Sequence, residues 1–440
     1  MTRPIDPAVP PSRLRGWLAR WGNILPLLVA EFIVWIGFGA LLPIMPLYFT
    51  QHGVDVRLLG VVIAAWPIAR LVGEPIFGWV ADRSGRRVLL MVVGLAVSAV
   101  ALGLPLILTS PLEFVLLRAL AGLATAVYDP AARGYLTDAT PPERRGEAFG
   151  LYGSAQMGGL LFGPAIGGLG AAAFGGFAFV FVLGALTTLV AAVAVALRVR
   201  EQPVLPRGRV APAYDITEFP SGAGVGRRPA EETTEPDPAA PATLLSRPFI
   251  AAIVLNLGGY FAGGTYEVIW SLFLKSKGAG LDLIGLTFAM FAVPVLLISP
   301  FAGRLVDRRG GFGFIVVGSL AIATAAFVYP VLPDPILVIP VIWCEAAGVA
   351  VLTPALYTIV AAASPRGLSS TAQGIFGASG TVGTIVASIL AGYLASFDIR
   401  YPFWVGGFAM YSFLILGLLI GGRTIRSVAP RPRLDPLATT

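Results

Sequence analysis

Twelve predominantly apolar stretches, each 21 to 28 residues long, fill most of this 440-residue chain: 24–49, 58–81, 88–108, 111–135, 147–173, 176–197, 249–274, 283–303, 312–332, 335–362, 371–396 and 402–422. About 20 apolar residues in a helix cross the hydrocarbon core of a bilayer. Each stretch is therefore long enough to be a membrane span. Charged residues are only 12% of the chain, about half the fraction usual in soluble proteins, and mean hydropathy is +0.81. Glycine, at 53 residues, is abundant, as expected where helices pack closely in lipid. The expected class is an all-α integral membrane protein with twelve transmembrane helices.

Charge then reports topology. An even number of spans puts both termini on one side, and Lys and Arg should gather there if that side is cytoplasmic. Twenty-five of the 31 basic residues do so, counting Arg133 at the very end of span 4; Arg57, Lys275, Lys277 and Arg400 fall on the other side, and Arg70 and Arg118 deep within spans. The net charge of +7 is thus spread over short loops, without the continuous basic face that nucleic-acid binding requires. The first 23 residues are polar and basic, and the apolar run after them is too long for the core of a cleaved signal peptide, so it should remain as span 1. The single cysteine, Cys344, excludes an intramolecular disulfide and argues against a cysteine metal site, and the lone His52 is expected in a solvated loop.

The chain repeats itself. GWVADRSGRR at 78–87 is echoed by GRLVDRRGG at 303–311, with Gly78, Asp82 and Gly85 each 225 positions before Gly303, Asp307 and Gly310. LYFTQHGVDVRLLG at 47–60 aligns at the same offset with LFLKSKGAGLDLIG at 272–285, and AFGLYGSAQMGG at 148–159 lies 224 positions before AQGIFGASGTVG. Two homologous six-helix bundles explain these matches: 24–198 and 249–422, between a cytoplasmic tail at 1–23 and another at 423–440. The polar, Pro- and Gly-rich segment 199–248 between them is expected to be a disordered cytoplasmic linker. Paired repeats of this kind flank a midplane binding site in many secondary transporters.

The charged loop after span 2 and its echo after span 8 resemble the loop signature of the major facilitator superfamily, and the resemblance covers all twelve spans. It implies that Gly78, Asp82, Arg83, Gly85, Arg86 and Arg87, with Asp307 and Arg308 as counterpart, latch the cytoplasmic faces of the two halves together in one state. Read without the family, the arginines are topological anchors. That leaves Asp82 unexplained, since a carboxylate at a helix end can pair with Arg groups or cap a neighbouring helix.

Span 5 carries GLLFGPAIGG at 159–168, in which Gly159, Gly163, Gly167 and Gly168 offer a small surface and Pro164 interrupts the hydrogen-bond ladder. By itself this is a packing motif. Within the superfamily it resembles the pattern of the twelve-span drug:proton antiporters, as do LLPIMP at 41–46 and RALAG at 118–122, the latter associated with proton coupling through its Arg. The matching stretch of span 11 has Ala387 and Ser388 in place of Gly163 and Pro164. The resemblance implies export.

Away from the span ends, seven ionisable residues fall within spans: Glu31, Arg70, Glu74, Arg118, Asp129, Glu267 and Glu345. Such charges are costly in lipid and are by default functional or paired. Arg70 and Glu74, four apart, should neutralise each other. Arg118 and Asp129 are eleven residues apart, about 16 Å along one helix, so each needs a partner on another. Glu31 lies about 10 Å into span 1, and its aligned position in span 7 is Asn256. An acid whose proton affinity depends on access and on a bound cation can exchange one for the other, and Glu31 resembles the span 1 acid of several multidrug exporters. The alternative is an acid paired with Arg118 for folding. Glu31, Arg118, Asp129, Glu267 and Glu345 are thus the candidates for proton coupling and substrate contact, with Trp35, Trp270, Trp343 and Tyr128 as aromatic neighbours attractive to cations.

No nucleotide-binding phosphate loop is present. A proton gradient is the expected energy source, with no cofactor: one charge moved through about 100 mV is worth roughly 2.3 kcal/mol, about a fiftyfold gradient. The expected function is proton-coupled export of drugs or other amphipathic small molecules by a monomer in the cytoplasmic membrane. The alternative is import of a nutrient or transport of a lipid-like substrate on the same fold. The spans hold no metal cluster, nucleophile elbow or histidine, which speaks against an enzyme.

Overall fold

The computed structural model describes residues 17, 20–141, 144–174, 176–201, 245–364 and 369–427; most of both expected tails and of the linker lie outside the described residues. All twelve apolar stretches are helical, and no strand occurs among the described residues. Span 1 is Leu25–Leu41 followed, after a 44° bend, by Met45–Gln51. The bend falls at Pro43 and Pro46, which remove two backbone donors. The others are span 2 (Val56–Ser84), span 3 (Arg87–Gly103), span 4 (Pro111–Asp138), span 5 (Arg145–Ala173), span 6 (Phe177–Arg198), span 7 (Arg247–Ser276), span 8 (Leu281–Arg309), span 9 (Phe312–Val328), span 10 (Val338–Ala363), span 11 (Ser369–Ala395) and span 12 (Tyr401–Ser427). Ten helices are long and apolar enough to cross a membrane, and the bent pair makes an eleventh. Span 5, 29 residues long, is less apolar because it is so rich in glycine.

The internal repeat is physical. Gly53 and Gly278 take the left-handed conformation at φ 83° and 85° in equivalent turns, and Gly85 and Gly310 do so at 65° and 81° after spans 2 and 8. These are backbone shapes that other residues enter only with strain, which is why glycine recurs there. Close helix contacts repeat as well: a Cβ on Gly94 would lie 2.8 Å from Ala124 O, and one on Gly318 would lie 2.6 Å from Gly348 O, 224 positions on in both helices. Within the halves, spans 1 and 5 pair as spans 7 and 11 do, and spans 2 and 4 as spans 8 and 10.

The halves meet mainly through spans 2 and 11 and through spans 5 and 8. Both contacts lie at the end of the bundle away from the arginine-rich loops, hereafter the opposite end, and both rest on glycine. A Cβ on Gly285 would come 2.7 Å from Gly168 Cα, and one on Gly392 would come 2.7 Å from Gly60 N. Gly60 and Gly285 are repeat partners, as are Gly168 and Gly392, so one seal is built twice. A buried cluster including Leu41, Phe49, Ile63, Trp270, Phe273 and Phe403 joins the halves at this end. Towards the basic end each half has its own core, around Tyr135 and Tyr152 in the first and Phe249 and Phe376 in the second. There a Cβ on Gly150, Gly153, Gly374 or Gly377 would meet no described atom within 4 Å. The molecule is closed at the opposite end and open at the basic end.

At the closed end, Arg57 Nε donates to Ser396 Oγ of the other half at 3.0 Å. Arg400 grips Asp398 and holds its carboxyl down to about 2. His52, expected in a solvated loop, is partly exposed in a turn, its ring tilted against Tyr48 with centroids 4.1 Å apart and its Nδ1 2.9 Å from Tyr48 O.

Candidate functional site

Glu31 is fully buried and held by three neutral donors from three helices: Trp35 Nε1 at 2.9 Å from its own span, Gln156 Nε2 at 2.6 Å from span 5, and the Tyr128 hydroxyl from span 4. The alternative partner considered from sequence, Arg118, is engaged elsewhere. In the second half Asn256 takes the corresponding place. Its Nδ2 donates to Phe376 O at 2.8 Å and to Ser379 Oγ at 3.1 Å, joining span 7 to span 11 as Glu31 joins span 1 to span 5.

Arg70 meets Glu74 at 2.5 Å, as the four-residue spacing implies, and also reaches Asp129 of span 4 at 2.7 Å. Arg133 approaches Asp129 at 3.5 Å, so two bases and two acids balance within the first half. Between Arg70 and Arg118 lies Trp66, with the guanidinium carbons 5.2 and 5.9 Å from its ring centroid. Sequence reasoning passed over Trp66, although its position four residues before Arg70 puts both on one helical face.

Arg118 is 4% exposed and crosses the molecule. Its Nη2 lies 3.4 Å from Glu267 Oε1 of span 7 and donates to Ile63 O at 3.3 Å, while Nη1 approaches Met45 Sδ at 3.7 Å. Among the ion pairs of the described residues, this one joins the two halves. It sits just inside the glycine seal, at the closed end of the central space.

Glu267 faces a cavity of about 280 Å³ lined by Leu42 and Pro164 of the first half and by Trp270, Phe288 and Tyr329 of the second. A second cavity of about 280 Å³ extends towards the basic end between Asn256, Tyr260, Thr353 and Tyr357. Gly263, Tyr266, Phe291 and Glu345 border both. Glu345 is buried and accepts from the Tyr329 hydroxyl at 2.6 Å. Trp270 donates to Thr287 Oγ1 at 2.9 Å, whereas Trp343 is half exposed on the outer surface and lines neither cavity.

The glycine motif of span 5 divides its work. Gly159, Gly163 and Gly167 receive the backbone of span 1, with added Cβ atoms on the first two falling 2.6 Å from Phe32 O and Ile36 O, while Gly168 faces span 8. Pro164 lines the first cavity.

At the basic end Asp82 and Arg83 lie on the last turn of span 2, and Gly85 caps it by donating its N–H to Ala81 O. Gly78 packs near Pro130. Arg87 stands between acids of two helices, 3.6 Å from Asp82 and 3.0 Å from Asp138, while its backbone N–H donates to Glu201 at 2.8 Å. The site therefore gains Asp138 and Glu201, which the sequence motif did not include. Arg86 precedes span 3, and Arg308 is exposed on the last turn of span 8; the side chain of Asp307 lies outside the described residues.

The sequence matches the profile of the Major Facilitator Superfamily over residues 27–344 and again over 259–437. It is 25% identical over 387 residues to Multidrug resistance protein 2 of Bacillus subtilis (strain 168), a match covering 86% of this chain and 90% of that protein. It is 26% identical over 150 residues to the quinolone resistance protein NorA of Staphylococcus aureus (strain MRSA252), covering 34% and 38%. The Staphyloferrin B transporter of Staphylococcus aureus (strain NCTC 8325 / PS 47) matches at 32% over 194 residues, 42% of this chain and 45% of that one. In fold, the chain resembles the crystal structure of peptide transporter POT in complex with sulfate at a TM-score of 0.72 and 14% identity, covering 93% of this chain and 96% of that one. With two structurally repeated halves, a shared central cavity and a profile match along nearly its whole length, the chain belongs to the Major Facilitator Superfamily of membrane transporters.

Proposed function

We propose that this transporter exports amphipathic small molecules in exchange for protons, with both termini in the cytoplasm and the cavity open to the cytoplasm in the state described. The positive-inside rule supports the orientation. Export is supported by the antiporter-like glycines of span 5 and by relatives named for multidrug and quinolone resistance.

The observation that carries the reading is the Arg118–Glu267 pair between the halves. When the halves rock to open outward, spans 4 and 7 separate and Glu267 loses its cation. A nearby cation favours the ionised carboxylate, and its departure favours the protonated one. Glu267 therefore takes a proton from outside when the pair is broken. On return, the approach of Arg118 expels the proton into the cavity that opens to the cytoplasm. Substrate moves the other way. Glu31, enclosed by partners of its own half, is assigned to holding spans 1, 4 and 5 together. Asp82, Arg87 and their neighbours, with Arg308 across the mouth, form the latch for the outward-open state.

The test is dissipation of an imposed pH gradient in proteoliposomes on addition of lipophilic cations or neutral drugs. Substrate-dependent proton flux that Glu267→Gln reduces at least tenfold is expected. Saturable uptake of solutes without proton movement would favour import or facilitation instead.

A further inference from the structure

Besides Glu267, Arg118 has partners in its own half, and they centre on one stretch of span 2. Pro67 stands inside that helix. A proline has no N–H to give the carbonyl four residues back, and its ring pushes that carbonyl away from the helix axis. Here the carbonyl is Ile63 O, the one to which Arg118 Nη2 donates at 3.3 Å. Trp66, next to the proline, has its ring centroid 5.9 Å from the guanidinium carbon, and Met45 Sδ lies 3.7 Å from Nη1. Gly122, four residues after Arg118, admits the backbone of span 2 at this point, since a Cβ on it would collide with Trp66 O.

The internal repeat sets this proline apart. Pro75 of span 2 and Pro130 of span 4 have counterparts at Pro300 and Pro354, so they belong to the architecture shared by the halves. Pro67 aligns with Ala292 and Arg118 with Ile342. The nearest proline of span 8, Pro294, falls two residues on, which turns the carbonyl it frees about 200° round the helix. Proline at this position and arginine facing it occur together in the first half and are both missing from the second.

Nη2 is shared between Ile63 O and Glu267 Oε1, at 3.3 and 3.4 Å, both longer than the usual range of about 2.7–3.2 Å. Arg118 Nε is buried with no hydrogen-bond partner among the described residues. When Glu267 is protonated and withdraws, a buried guanidinium stays behind, and an uncompensated buried charge is strongly unfavourable. Ile63 O then has Nη2 to itself, and the Trp66 ring supplies a second attraction. Resting on the exchange of Glu267 between Arg118 and a proton, we propose that Pro67 is a positioning residue for proton coupling: it frees Ile63 O to hold Arg118 in the first half while Glu267 is away. Of the titratable groups around the pair, Glu345, Tyr266 and Tyr329 share the cavity of Glu267, and Arg70, behind Trp66, is matched by Glu74 and Asp129.

Pro67→Ala tests this, because it restores an N–H that claims Ile63 O and a residue that suits a helix better. Pro75→Ala is the control, since the carbonyl it satisfies, Leu71 O, is not the partner of Arg118. Both are made in the full chain in nanodiscs on a Cys344→Ser background. The first readout is a double-mutant cycle in unfolding temperature with Arg118→Met. Pro67→Ala should raise that temperature by roughly 2 °C more when Arg118 is replaced than when it is present, because only in the latter is a hydrogen bond lost. Pro75→Ala should gain equally in both. The second readout is the pH midpoint at which the basic mouth closes, followed by double electron–electron resonance between labels at Ser154 and Ile375. Pro67→Ala should lower the midpoint by about one unit, a tenfold higher proton concentration, since the state with Glu267 protonated has lost its support for Arg118. Pro75→Ala should leave it in place. An additive cycle, or an unshifted midpoint in Pro67→Ala, would overturn the assignment. The two readings fail separately: additivity beside intact pH-dependent closure rejects the role of Pro67 alone, and non-additivity without such closure in the unmodified protein rejects proton exchange at Glu267.

Discussion

Glu31 and Glu267 are both acids within spans, yet their partners give them different roles. Glu31 has three neutral donors, all from its own half. Its substitution by Gln turns one acceptor into a donor facing donors, and an unsatisfied buried group costs about 1–3 kcal/mol. The expected outcome is a lower unfolding temperature for purified Glu31→Gln with proton-coupled flux retained, measured by thermal scanning and the liposome assay. Loss of flux at unchanged unfolding temperature would return Glu31 to the coupling path. Sequence placed Glu31, Arg118, Asp129, Glu267 and Glu345 at their depths and foresaw that Arg118 and Asp129 need partners on other helices. It could not rank those partners, because depth follows from residue count whereas the facing of one helix towards another follows from packing. Gln156 and Tyr329, and the part of Tyr128 as a donor to Glu31, became visible only through that packing.

At the scale of elements, the seal between the halves is a pair of helix crossings made possible by missing side chains. Leucine at Gly168 would drive Cβ into Gly285, and leucine at Gly60 would meet span 11. Overpacking of this kind costs about 1–3 kcal/mol, and because it acts only on the closed opposite end it should shift the population outward by about one to two decades. Gly168→Leu should therefore increase labelling of a cysteine at Ala292, a residue of the cavity wall, by a membrane-impermeant thiol reagent added from outside, with Cys344 replaced by Ser. Unchanged labelling would mean that the glycines serve packing within each half only. The glycine spacing of span 5 was readable in the sequence. That Gly159, Gly163 and Gly167 face span 1 while Gly168 faces the other half was not, because adjacent residues on a helix differ in facing by about 100°, a difference that matters only once neighbours are placed.

At the scale of the whole molecule, the repeat was legible because it is written in glycines at turns and crossings, where backbone shape leaves little choice. Left-handed Gly53, Gly85, Gly278 and Gly310 fall where the two copies align. The open direction was not legible, since one sequence must suit both states of a rocking cycle. What biases the state described is the glycine seal together with Arg118–Glu267; removing one member of a fully buried ion pair costs about 3–5 kcal/mol, and with Glu267 22% exposed to the cavity the cost here falls below that. Glu267→Gln imitates the protonated acid and leaves Arg118 buried without its counter-ion. Double electron–electron resonance on the Cys344→Ser background, with spin labels at Ser154 and Ile375 across the basic mouth and at Gln51 and Lys275 across the opposite end, tests this most directly. Both Glu267→Gln and acidification of the otherwise unmodified protein should shorten the first distance and lengthen the second. Distances that ignore both changes would show that the Arg118–Glu267 pair does not couple protons to the movement of the halves.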